Sequence, residues 1–128
     1  MEFKKSWNSS KKPNKQRKYR SNAPLHIKHK FMSSHLTKEL RQKHGKRSIP
    51  LRKGDKVKIM RGNLKGKGGI IEKVLSKIEK VYINGIEVIK KDGTKKLAPL
   101  RPSNLLITQL NSDDKKRKIK TEKKNDKK

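Results

Sequence analysis

The stretch GDKVKIMRGNLKGKGGIIEKV, from Gly54 to Val74, decides the fold. Val57 and Ile59 alternate with Lys56, Lys58 and Met60, which is the period-two pattern of a strand with one face in a core. Arg61 to Lys67 is rich in glycine and lysine and reads as a basic loop. Ile70, Ile71 and Val74 form a second strand. The change from alternation to the Ile70-Ile71 doublet predicts a bulge after Gly68-Gly69. Gly66 lies where the chain reverses, so it is expected to need a positive φ or a close approach to a ligand.

The same pattern continues downstream. Val81 and Ile83 give a third strand, and Asn84-Gly85 is a hairpin-turn signal. Ile86, Val88 and Ile89 begin a fourth strand, with Asp92-Gly93 as another turn. Leu97 to Leu100 and Leu105 to Leu110 complete the set. Short strands at this spacing imply a mainly β domain over residues 49–110, a small barrel or sandwich. About sixty residues can just sustain one core of that kind.

Upstream, residues 1–48 read as a basic arm. KKPNKQRKYR (11–20) has almost no aliphatic residues and is expected to be extended and unfolded by itself. One short helix is predicted near residues 34–44. Ser33 or Ser34 can cap it, and Met32, Leu36 and Leu40 form a narrow apolar stripe. Glu39 sits four residues before Lys43, a favourable helical ion pair, and Gly45 is the natural stop. A helix that short is marginal in water and must dock on something. Residues 111–128 hold one Ile and no periodicity, and read as a disordered basic tail.

Charge narrows the function. The 128 residues carry a formal net charge of +28, are 39% charged and only 28% hydrophobic. Residues 1–50 hold 15 basic and 2 acidic side chains, residues 51–110 hold 15 and 5, and residues 111–128 hold 9 and 4. Self-repulsion on that scale opposes compaction unless a polyanion neutralises it, and a nucleic acid is the natural one. Cysteine is absent, so disulfides and thiolate metal sites are excluded. No apolar run approaches the ~20 residues of a membrane helix, and MEFKKSWNSSKK lacks the apolar segment of a secretory signal. A soluble, cytoplasmic protein is expected. The basic regions lack the long apolar face of a membrane-surface helix. An enzyme needs convergent titratable groups in a pocket, but the acids are scattered and no nucleophile triad or phosphate loop is present. His26, His29 and His35 are the one conceivable metal constellation. They lack a fourth ligand, so neither metal nor cofactor is expected.

The pattern Gly54, Asp55, Val57, Ile59, Gly62, Lys65, Gly66, Gly69, Ile71, Val74 resembles the KOW motif of ribosomal and transcription-elongation proteins. The flanks narrow the match. RKYRSNAPLHIKHKFMSSHLTKELRQKHGKRSIPLRKGD before the motif resembles the large-subunit ribosomal protein twenty-four family of archaea and its eukaryotic counterpart. So does DGTKKLAPLRPSNLLITQL after it, with Pro102-Ser103-Asn104 at the family's closing P-S-N. The resemblance spans about residues 13–116. The NAPLHIKHK arm and the short tail favour the archaeal type. A transcription-elongation factor of this motif would carry an α/β domain in front, for which the first fifty residues leave no room. A chromatin-type DNA binder would fit the charge but not these motifs.

The resemblance implies an SH3-like barrel and a structural role in the large ribosomal subunit. It further implies binding to 23S-type rRNA early in assembly and a position near the polypeptide exit tunnel. The implied partners are large-subunit rRNA and neighbouring ribosomal proteins, with no membrane and no homo-oligomer. The residues expected to carry RNA binding fall in four groups. Lys11, Lys12, Lys15, Arg17, Lys18 and Arg20 form an arm that can lie between RNA helices. His26, Lys28, His29 and Lys30 follow, while Arg47, Arg52 and Lys53 flank the start of the barrel. Arg61, Lys65, Gly66 and Lys67 belong to the loop. Tyr19 can either stack on an unpaired base or pack on the barrel.

Overall fold

The computed structural model describes residues 2–111 together with 113, 114 and 117. Most of the expected basic tail therefore lies outside the described residues. The chain opens with a 3-10 turn over Lys5–Ser9 and two helices, α1 (Pro13–Asn22) and α2 (Leu25–Phe31). Strand β1 (Ser33–Leu36), helix α3 (Lys38–His44) and strand β2 (Ser48–Pro50) follow. Then come β3 (Lys56–Ile59), β4 (Gly68–Leu75), β5 (Lys80–Ile83), β6 (Glu87–Ile89) and β7 (Lys95–Leu97). A 3-10 turn over Pro102–Asn104 leads into β8 (Leu105–Gln109).

Six strands form one mixed sheet in the order β2-β1-β8-β3-β4-β5, and β6 and β7 form a separate two-stranded sheet. The expected mainly β architecture is present, but the expected barrel is not closed. Both edges of β8 are occupied, by antiparallel β3 and by parallel β1. At the other end, β5 meets Leu100 in a single bridge through Val81.

The alternation read from Lys56 to Ile59 sets the core. Val57 and Ile59 are buried, and so are Ile71, Val81, Ile83, Leu105 and Ile107 from the neighbouring strands. Met32, Leu36, Ile49 and Leu51 join the same cluster from the N-terminal side, with Leu40 packed against it. Each buried aliphatic of this size contributes about 1.5–3 kcal/mol. The closing Pro102-Ser103-Asn104 ties the layers together. Ser34, itself buried, donates its hydroxyl to the Pro102 carbonyl, and Met60 N–H donates to Asn104 O at 2.8 Å.

Four local expectations are corrected. Residues 11–20 are not extended: α1 starts with Pro13 in its first turn, where the missing N–H is harmless, and ends ahead of Pro24. Residues 33–36, read as the cap and first turn of a helix, are β1, and the helix begins at Lys38. Its stop is as read: Gly45 is left-handed at φ 60° and donates to Arg41 O. The bulge is not after Gly68-Gly69, where β3 and β4 pair in regular register. In β4 the shift falls a little further on, between Ile71 and Lys73 against β5, where Ile71 faces Ile83 and Lys73 faces Tyr82. Finally, Asn84-Gly85 does turn the chain, with Gly85 at φ 78°, but it hands β5 to a different sheet. The hairpin forms one turn later, at Asp92-Gly93, between β6 and β7.

Candidate nucleic-acid interface

The N-terminal cations stand on a folded platform. Gln16, Tyr19, Arg20 and Ala23 recur at helical spacing on one side of α1 and face the protein. Gln16 Nε2 donates to the carbonyls of Trp7, Asn8 and Ser10 and so binds the first turn to the helix. Tyr19 lies between Phe3 and Phe31, with ring centroids 5.1 and 5.9 Å away. In the free chain it packs on these two rings of the N-terminal segment and not on the sheet domain. Arg20 covers the Phe31 ring at 5.1 Å and pairs with Glu79 at 3.0 Å. Asn14, Arg17, Lys18 and Ser21 occupy the opposite side, and Arg17 is held by Asn14. Lys11, Lys12, Lys15, Arg17 and Lys18 are all exposed. Lys15 and Lys4 sit over the Trp7 ring at 5.7 and 5.6 Å.

Helix α2 fixes this platform to the sheet. Lys28 Nζ reaches Lys77 O at 3.3 Å, and His29 Nδ1 is 3.3 Å from Ser76 Oγ. Together with Arg20–Glu79, these contacts seat α1 and α2 on the turn between β4 and β5. His26 and Lys30 remain exposed on α2. His35 belongs to β1, opposite Ser48 and Leu106, so it is separated from the other two histidines by the end of α2. Among the described residues, no group of three His, Asp or Glu side chains is placed to hold a metal ion. No helix among them is long and apolar enough to cross a membrane.

The loop from Arg61 to Lys67 lies at the other end of β4. Arg61, Lys65 and Lys67 are exposed, and Gly66 has φ +88° with open space where a Cβ would stand. Its glycine is thus required by backbone conformation and not by a near neighbour. β4 is eight residues long, about 25 Å. The loop and the helical platform therefore form two separate basic surfaces.

Arg47, Arg52 and Lys53 are exposed in two different places. Arg47 is exposed beyond α3, and its carbonyl accepts from Leu36 N–H at 3.1 Å. Arg52 and Lys53 line a cleft of about 860 Å³ with His29, Ser76, Asn111, Asp113, Asp114 and Arg117. Arg52 Nε is 2.8 Å from Asp114, which neutralises it.

Under that cleft sits a residue to which the sequence reading gave no function. Asp55 is fully buried. It accepts from the backbone N–H of Arg52 at 2.9 Å and of Asn111 at 2.8 Å. Both terminal guanidinium nitrogens of Arg117 meet it at 2.8 Å. The hydrogen bond to Asp55 is the largest influence holding the Arg117 pKa above its ordinary value. The invariably charged Arg117 is thus the counter-ion of a structural carboxylate and not a solvated tail residue. The Gly-Asp pair in the motif and the Asp113-Asp114 step ahead of Arg117 were the available sequence signals.

Comparison with known proteins identifies the lineage. Residues 10–124 match the family described as "Ribosomal proteins L26 eukaryotic, L24P archaeal". Over 108 residues the chain is 44% identical to the large ribosomal subunit protein uL24 of Methanosphaera stadtmanae, covering 84% of this chain and 92% of that protein. The chain belongs to this archaeal and eukaryotic family of ribosomal proteins.

Proposed function

We propose that this protein is a structural constituent of the large ribosomal subunit that binds large-subunit rRNA. The observation that carries the reading is the family match over residues 10–124 of a chain with a net charge of +28. The two exposed basic surfaces at opposite ends of β4 support it, because they can engage two separate RNA segments. Phosphates neutralised by Lys11, Lys12, Lys15, Arg17 and Lys18 on one surface, and by Arg61, Lys65 and Lys67 on the other, release counterions. Residues 1–48 act as the RNA-binding arm, whose last part is built into the sheet through β1, residues 49–110 supply the rest of the SH3-like unit, and residues 111–128 act as a basic tail anchored through Arg117. In this reading the protein joins early in subunit assembly, beside other ribosomal proteins near the polypeptide exit tunnel, as a single copy in the cytoplasmic particle. It performs no catalysis. Sucrose-gradient sedimentation of a lysate containing the tagged full chain tests this. The protein should travel with free large subunits and whole ribosomes and be absent from small subunits. A peak at the top of the gradient would contradict the proposal.

A further inference from the structure

The outer face of the central strands carries a trough that begins at the Arg61–Lys67 loop and runs away from it. On β3, Lys56 and Lys58 point away from the core, and their direct partners on β4 are Ile70 and Gly68. On the other side of β3, Lys58 is opposite Leu106 of β8. A Cβ on Gly68 would stand 2.9 Å from Val57 O, so strand pairing itself demands glycine there. The consequence is a floor of bare backbone. The trough has a volume of about 390 Å³, between Gly66 at the loop end and Thr108 on β8. Ile70 is 46% exposed on its wall, an aliphatic side chain with no layer of the described residues over it.

We propose that this trough holds one unpaired nucleotide of an RNA strand. The inference rests on the rRNA-binding reading and assigns it a further site. Lys56 and Lys58 supply point charges for the flanking phosphates. Ile70 offers an apolar surface to the flat face of a base, and the glycine floor lets the base approach the backbone. Thr108 Oγ donates to Lys56 O at 3.1 Å, so its proton is committed and its lone pairs are free to accept from a ribose 2′-hydroxyl. A volume of this size suits a single nucleotide. The Arg61–Lys67 loop continues the positive field from the end of the trough, which suits any polyanion; the accepting Thr108 Oγ and the apolar Ile70 favour RNA over an acidic peptide, whose carboxylates can only accept.

The test uses the full chain with transcribed large-subunit rRNA. Lys56 and Lys58 are first labelled with an amine-acetylating reagent, with and without RNA, and read by mass spectrometry. Both should become protected in the complex. Lys56→Gln with Lys58→Gln should weaken binding and flatten the log–log salt slope by about 1.4, as for two single-strand phosphates. Ile70→Ala should weaken binding about fivefold with the slope unchanged. Tight RNA binding with both lysines still reactive would overturn the trough and leave the rRNA reading standing. Protection seen only in assembled subunits, and not with rRNA alone, would assign this face to a neighbouring protein and overturn the inference as well. Absence of any rRNA binding would overturn both.

Discussion

At the scale of single residues, Asp55 is where the fold is most exposed to damage. It is a buried carboxylate whose charge is balanced by one guanidinium and two amide donors. Removing one member of a buried pair leaves the other uncompensated, which costs about 3–5 kcal/mol. Asp55→Ala and Arg117→Ala should therefore each lower stability in urea unfolding by roughly that amount, and the double variant by much less than the sum. Additive losses would mean that the two do not act as a pair. The glycines separate in the same way. Gly66→Ala meets open space and carries only the strain of φ +88°, about 1 kcal/mol. Gly69→Ala would place its Cβ 2.7 Å from Ile83 Cγ2 and 2.9 Å from Asn84 O, so backbone must move. Thermal unfolding should rank Gly69→Ala as the more damaging. Lys65→Ala, beside Gly66, should leave stability unchanged and weaken RNA binding. The positive φ of Gly66 was legible from the sequence because a chain reversal in a loop of Arg, Asn, Leu and Lys leaves few alternatives. The burial of Asp55 was not, because the Gly-Asp pair marks its place in the motif but says nothing of its partner. Its counter-ion is 62 residues away.

At the scale of elements, the strands from β3 onward and the body of α3 were legible, while β1, β2 and the two N-terminal helices were not, for a physical reason. A half-buried strand writes its burial into the sequence with period two, as at Val57 and Ile59. Helix α1 writes almost nothing, because its packing face is Gln16, Tyr19 and Arg20, polar or amphipathic side chains whose partners are backbone carbonyls, aromatic rings and Glu79. Likewise Met32 and Leu36 fit a helical stripe as well as they fit the end of α2 and a strand. A ten-residue helix without an apolar stripe depends on docking. Tyr19→Ala removes the ring between Phe3 and Phe31, so amide exchange across residues 13–22 should accelerate toward the unprotected rate. Protection in β3, β4 and β8 should be unaffected, and loss there would show that the platform and sheet fold as one unit. The β6–β7 hairpin offers a second measurement. The Thr94 hydroxyl and amide both donate to Asp92 Oδ1, and the hydroxyl bond is the chief cause holding the Asp92 pKa below its ordinary value. A carboxylate depressed in the folded state contributes stability above its unfolded pKa and loses it as pH falls through the folded one. The Thr94 amide resonance should therefore shift on acidification below the ordinary Asp range, and Asp92→Asn should abolish that titration.

At the scale of the whole molecule, β1 and β2 decide how the chain divides. They lie before residue 51 yet pair within the six-stranded sheet, and Met32, Leu36 and Ile49 are core. Deletion of residues 1–30 removes α1 and most of α2 but no residue of that core, so the truncated chain should stay folded by circular dichroism. Deletion of residues 1–50 should unfold it. The charge that surrounds this sheet was legible from composition alone, and the ribosomal lineage from the motif and its flanks. The separation of the basic surfaces was not legible, because it follows from where α1 and α2 dock. The central claim is that the positive surface exists to neutralise rRNA phosphates. Its most direct test is the affinity of the full chain for large-subunit rRNA as a function of salt. Six or more phosphate contacts predict a log–log slope steeper than about −4. A slope near zero would contradict the account.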